Sequence, residues 1–346
     1  MSRKQLTKSN KVMVNTGVAD QSVSIITVTY NAKNFIKDYV ESIFSGITRP
    51  KEVLLYDGGS TDGTVELIKK FQKLHQEIIL YEGEDIGFAA GNNLLAKKAT
   101  CHFLFILSPD TKIDQYCISN LLANSRRENS ILMPKRNLFD GTFLHHGMGL
   151  DIFGFPADGE IFFVDGAAIF LRRKIFLNLG MFDDDYFMFQ EDVDLSWRAQ
   201  LNGVSLVTAE NASLFHYSGG STPSGGIKKD ISEYTTNTFK RYLGERNTLL
   251  NVLKNYSLVT LLVVLPLIFF FNLLEIILFT ITLKFKFVGC YFKAYFWIIS
   301  HFGSILKKRR IVQANRKVSD FVIIRKMSLI NSKLKYFFRY GIPKIK

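Results

Sequence analysis

At 346 residues the chain has room for one substantial α/β domain and an appendage. Its formal charge of +13 would suit a nucleic-acid partner, but sixteen Lys and Arg, against the single acid Asp320, lie between Lys284 and Lys346. That stretch carries +15 and leaves residues 1–283 at −2, so the surplus follows a run of membrane-like composition and fits anionic lipid head groups better than DNA.

Cys101, Cys117 and Cys290 are scattered, with no CxxC or Cys/His metal spacing, which indicates a reducing compartment without a disulfide frame. Residues 1–22 are polar and show no secretory signal, so the catalytic part is expected to be cytosolic.

In chain order, Val23–Thr29 (VSIITVT) is an apolar β-branched strand, and Ala32–Ser45 spaces Phe35, Ile36, Tyr39, Val40 and Ile43 as a helix. Strands follow at Lys51–Tyr56, Ile78–Tyr81 and His102–Leu107, alternating with helices at Thr64–His75, Ala89–Ala99 and Ile113–Ser125. This alternation predicts βαβ units and a mostly parallel sheet flanked by helices. From Leu138 the pattern turns irregular and rich in Gly and Phe. Val164–Leu171 then reads as a strand, Lys174–Leu179 and Asp192–Asn202 as helices, and Gly219–Gly226 as a mobile loop.

Four polar clusters follow predicted strand ends: Tyr30-Asn31, Asp57-Gly58-Gly59-Ser60, Glu84-Asp85-Ile86-Gly87 and Ser108-Pro109-Asp110. In open α/β sheets that edge binds ligands. Asp57 at a strand tip can accept from the N3–H of a pyrimidine, although the glycines and Thr61 or Asp62 also make an ordinary capped turn. Gly87 through Asn92 and Asn93 open a helix with small residues, which lets backbone amides approach a phosphate or ribose, or lets helix and sheet pack closely. Asp110 suits a hard divalent cation, Mg²⁺ or Mn²⁺, within what is also a Pro-containing turn. Glu191, Asp192 and Asp194 exceed what favouring a helix N-terminus requires, and Asp192 and Asp194 point in different directions around the helix. His216 is one of six histidines, and a lone His is more often structural than a ligand. No G-x-G-x-x-G follows a strand, and GGSTPSGGIKK lacks the P-loop Lys position.

Taken in order, SIITVTYN (Ser24–Asn31), DGGSTDGT, DIGFAAGNN, LSPDT, VDGAAIFLRR (Val164–Arg173), GMFDDDYFMFQEDVDLSWR (Gly180–Arg198) and FHYSGGS (Phe215–Ser221) resemble the inverting family 2 glycosyltransferases of GT-A fold, in their rhamnosyltransferase-like branch. The resemblance covers about residues 23–250. It implies transfer of a sugar, rhamnose by analogy, from a nucleotide-diphosphate donor to a hydroxyl of a lipid-linked or cell-envelope glycan. Thr29, Tyr30, Asn31 and Asp57, with Gly87 and Asn92, would bind the donor. Asp110 and His216 would hold the divalent cation, and Asp192, beside Glu191, would be the general base. Ser108, Gly58 and Asp85 depart from the family's usual Asn or Asp, acid or amide, and Asn. Absence of Gln-x-x-Arg-Trp favours addition of a single sugar. A polyprenyl-phosphate sugar synthase would need no base, and a non-catalytic nucleotide-sugar-binding subunit would need neither base nor metal residues. The expected halves are 23–112 for the nucleotide sugar and 113–250 for the acceptor.

Between Lys254 and Glu275 lie twenty uncharged residues, long enough for one membrane span. Phe287–Leu306 is apolar with Lys293, Ser300 and Ser304 on one face. A membrane-embedded helical hairpin over 255–306, bent at Pro266, would keep the basic tail 307–346 and the catalytic domain on the cytosolic side of the inner membrane.

Overall fold

The structure, a computed structural model, describes residues 20–125, 129–137, 143–145, 148–217, 226–228 and 233–345. The polar arm to residue 19 and the Gly-rich loop over 219–225 lie outside them. The first described elements are β1 (Val23–Thr29), α1 (Lys33–Phe44), β2 (Glu52–Asp57), α2 (Thr64–Gln72), β3 (Ile78–Glu82), α3 (Gly87–Lys98) and β4 (Phe103–Leu107). Next come β5 (Thr111–Ile113), α4 (Cys117–Asn124), β6 (Ser130–Asn137), β7 (Phe143–His145), β8 (Gly149–Leu150), β9 (Pro156–Ala157), β10 (Ala168–Arg172), α5 (Arg173–Asn178), α6 (Glu191–Leu201) and β11 (Ser205–His216). The remainder is β12 (Gly226–Lys228), β13 (Glu233–Thr236), α7 (Thr238–Asn255), α8 (Leu258–Ile281), α9 (Phe285–Ser300), α10 (Phe302–Asn315), α11 (Asp320–Ile324), α12 (Ser332–Tyr340) and β14 (Lys344–Ile345).

The main sheet runs β3-β2-β1-β4-β10-β6-β11-β5, with β7 on β6. Strands β3, β2, β1 and β4 are parallel, whereas β10 lies antiparallel to β4 and β6. Alternation along each strand divides the core between the two faces. Ile25, Leu55 and Phe105 pack under α1 and α4, and Ile26, Leu54 and Ile106 pack against α3 and α6. The predicted helix over 113–125 is in fact β5 followed by α4, because Thr111–Ile113 pairs with β11.

A third apolar cluster sits off the sheet. It joins Phe162, Trp197 and Leu250 to Tyr256, Ile268, Ile298, Ile305 and Val312. The domain end expected near Lys254 is therefore a helix end and not a packing boundary. The two predicted hydrophobic segments do pair as antiparallel helices, with Phe279 against Phe287 and Asn272 donating to the Tyr295 hydroxyl. The second segment breaks at His301 into α9 and α10, and Pro266 lies inside an uninterrupted α8.

Candidate active site

Strands β3, β2, β1 and β4 end side by side, which brings all four polar clusters onto one edge. The Asp57 carboxylate is buried and accepts from the amides of Gly59 and Ser60 and from the hydroxyls of Thr29 and Ser60. Its oxygens thus hold its own turn and tie β2 to β1, and Thr29 is buried with it. Asn31, in the left-handed region at φ 49°, accepts from the Thr61 amide through its side chain and donates its own amide to the Ser60 hydroxyl. Tyr30 and Asn31 are exposed.

At α3 the left-handed Gly87 is required by space as well as by φ. A Cβ there would stand 2.5 Å from the Phe187 ring. Asn92 is buried, with its amide on the Phe88 carbonyl and its Oδ1 unpaired. Asn93, unassigned by the sequence, joins α3 to the loop before α6 through Phe182 and Asp184.

Antiparallel pairing of β5 with β11 sets His216 beside Thr111 and brings His216 Nε2 to 3.1 Å from Asp110 Oδ1. Both residues are buried, and the Ser108 hydroxyl donates to the same Asp110 oxygen at 2.6 Å. Burial depresses the His216 pKa, against a hydrogen bond to Asp110 that raises it, so the ring is held towards its neutral, ligating form. Two ligand atoms about 2.1 Å from a hard cation and at right angles stand about 3.0 Å apart, so this spacing fits adjacent positions on Mg²⁺ or Mn²⁺. No group of three His, Cys, Asp or Glu side chains able to hold a metal occurs among the described residues, so further ligands would have to come from substrate oxygens or water.

Asp192 begins α6. Its Oδ2 accepts from the Gly166 amide at 2.9 Å and its Oδ1 from Val193. Burial raises its pKa, partly opposed by the Gly166 hydrogen bond. Glu191 is more deeply buried, has an unpaired Oε2, and is pushed well above the carboxylate range by burial and then by Asp192. Of the adjacent pair, Glu191 is the neutral acid and Asp192 the group that ionises. Asp194, on another side of the helix, is held low despite burial by Arg198 and Lys254. It is a structural anchor.

Sequence reasoning missed two parts of the site. Arg136 of β6, ion-paired with Asp165, is brought down to about 10 by burial, while Asp110 and Asp192 both act to raise it. One guanidinium thus lies within electrostatic range of both the Asp110–His216 pair and Asp192. The second part is the approach to α6, where Phe187, Phe189 and Gln190 all take positive φ. Such backbone persists only when its surroundings hold it. Asn247 donates to the carbonyls of Tyr186, Met188 and Phe189, and Arg246 to those of Asp185 and Tyr186. Their signal in sequence was the run of polar residues in α7.

The model of the glycosyl transferase family 2 matches residues 24–194. Over 197 residues the chain is 24% identical to the poly-beta-1,6-N-acetyl-D-glucosamine synthase of Staphylococcus aureus (strain MSSA476), covering 53% of this chain and 47% of that one. A glycosyltransferase named for teichuronic acid biosynthesis, TuaG of Bacillus subtilis (strain 168), is 32% identical over 91 residues, 26% of this chain and 36% of that protein. The chain thus spans less than half the length of either relative. Among solved structures, GalNAc-T7 with UDP, GalNAc and Mn²⁺ aligns with a TM-score of 0.51 at 14% identity, covering 56% of this chain and 43% of that one.

Proposed function

Since this chain is a family 2 glycosyltransferase through residues 24–194, we propose that it transfers a single sugar, with inversion, from a nucleotide-diphosphate donor to a hydroxyl of a lipid-linked or cell-envelope glycan. The observation that carries this reading is the Asp110–His216 pair and the Asp192 carboxylate gathered around Arg136. The donor would lie along the strand edge from Tyr30 and Asn31 to Gly87 and Asn92, with Asp57 holding that edge in shape. Rhamnose is the sugar that the sequence resemblance suggests. The apolar α8 and the basic tail support a location at the cytoplasmic face of the inner membrane.

Asp192 takes the acceptor proton as the acceptor oxygen bonds to the anomeric carbon and the sugar–phosphate bond breaks, its electron pair leaving with the diphosphate. Burial makes Asp192 a stronger base than a free carboxylate, and a neutral Glu191 spares it a second adjacent charge. A divalent cation between Asp110 and His216 would supply charge neutralisation to the departing diphosphate.

A thermal-shift screen of nucleotide-diphosphate sugars with and without Mn²⁺ tests this, because a ligand of the native state raises its melting temperature. A matched donor should stabilise the wild type more with Mn²⁺ than with EDTA, and Asp110→Ala or His216→Ala should each remove most of that difference. Stabilisation indifferent to EDTA would dismiss the metal, and no response to any nucleotide sugar would dismiss the donor class.

A further inference from the structure

Two stripes run the length of α8 on opposite sides. Val264, Ile268, Asn272 and Phe279 are buried, while Val259, Leu262, Val263, Phe270, Leu273 and Ile281 are each more than half exposed. At 100° per residue the two sets centre about half a turn apart. The buried stripe is held to the rest of the molecule at its start, middle and end. Ahead of the helix, the Ser257 amide donates to Asp320 and the Tyr256 hydroxyl to the Ile152 carbonyl. Midway, Phe271 packs edge-on to Phe153 at 5.2 Å. Near the end, Glu275 accepts from Arg241 of α7 at 2.9 Å and from Lys333 of α12 at 2.8 Å, with Glu245 of α7 bound to the same two cations.

These contacts oppose a crossing. From Ser257 to Glu275 the helix rises about 27 Å, close to the hydrocarbon thickness of a bilayer. Were α8 to span, Arg241, Glu245, Phe153 and the polar length of α7 would enter the bilayer with it, where unexposed charge is costly. The exposed stripe has the opposite character, a continuous apolar strip. Outward-facing cations stand on the neighbouring helices, at Lys286 and Lys293 of α9, Lys307 and Arg310 of α10, and Lys335 and Arg339 of α12. An apolar strip with surrounding positive charge is complementary to the acyl boundary and head groups of an anionic leaflet.

We propose that α8 lies in the plane of one anionic leaflet, with its Val259–Ile281 stripe in the acyl boundary, and that the chain docks on the membrane without crossing it. The proposal rests on the membrane location inferred above but not on the transfer chemistry, and its test reads depth instead of activity. Single cysteines at Val259, Phe270, Leu273 and Ile281 of the full chain would carry a nitroxide label, the natural Cys101, Cys117 and Cys290 being buried. Depth would be read from oxygen and nickel-chelate accessibility in vesicles of phosphatidylethanolamine and phosphatidylglycerol, on variants that keep the wild-type melting temperature. The expected result is a similar, shallow depth at all four positions, and binding weakened several-fold when phosphatidylcholine replaces phosphatidylglycerol. Depth greatest at Phe270 and falling towards both ends would establish a span and overturn the proposal. So would labels that never contact lipid, or binding indifferent to the anionic lipid.

Discussion

Glu191 and Asp192 are neighbours in sequence, yet their surroundings separate them. Glu191 has an oxygen with no hydrogen-bond partner, so burial keeps its proton on, whereas both Asp192 oxygens face backbone amides. Asp192→Asn should therefore leave donor binding intact and lower kcat by about 10²–10⁴, the usual worth of a positioned base. Glu191→Gln, which replaces a neutral acid by a neutral amide, should cost far less, and comparable losses in the two variants would reverse the assignment. A carboxylate in the proposed base role must be ionised to act. Since burial raises the Asp192 pKa, kcat/KM should fall with decreasing pH along a limb above the usual carboxylate range. A pH–rate profile flat down to that range would contradict the assignment. Much of this was legible in the sequence, because three acids in four positions exceed what a helix start needs. The partner of Asp110 came from the family resemblance alone, because His216 lies 106 residues away and strand pairing is what joins them. Asp57 invited a ligand role by position, and the turn it belongs to occupies its oxygens.

Elements with a clean period were legible: β1 through β4 and their helices lie where alternation and helical spacing put them. Strand β6 was not, because Pro134 speaks against a strand inside a sheet. It is tolerated because β10 pairs only with Ile131 and Leu132 and β7 joins only at Arg136, leaving β6 bonded to β11 alone at Pro134. Strand β11 was hidden by a bulge between Ala209 and Ser213 that breaks its alternation. Helix α7 was unread because its most buried positions are polar. They bury Arg246, Asn247, Asn251 and Lys254 to hold the loop before α6 and, through Lys254, Asp183 and Asp194. Asn247→Ala leaves three carbonyls of a left-handed loop without that donor, so stability should drop by about 2–4 kcal/mol. Urea unfolding checks this. Where the variant remains folded, kcat should fall more than KM rises, since the loop leads directly into Asp192. Unchanged kinetics would mean that the loop is held by other contacts.

On the scale of the whole molecule, composition suggests a soluble domain followed by a separable membrane piece, and packing contradicts the separation. A chain ending at Asn255 loses Tyr256, Ile298, Ile305 and Val312 from the third cluster, and with them Lys308, which pairs with Asp183 and Asp185 in the loop before α6. It should be insoluble or lack a cooperative melt, and a soluble, cooperatively melting fragment that binds donor would show that the cluster is dispensable. The same packing fixes a height. Helix α7 grips the loop leading to Asp192 through Arg246 and Asn247, and it is tied through Arg241 to Glu275 on the helix proposed to rest on the leaflet. Packed helix axes are about 8–10 Å apart, so only one or two such layers separate the lipid from the loop. Were that stack to move as one body, the enzyme would have a short, constant reach. An acceptor carrying its hydroxyl on the first sugars above its lipid is within that reach, and one carrying it at the far end of a long glycan must bend back to be served.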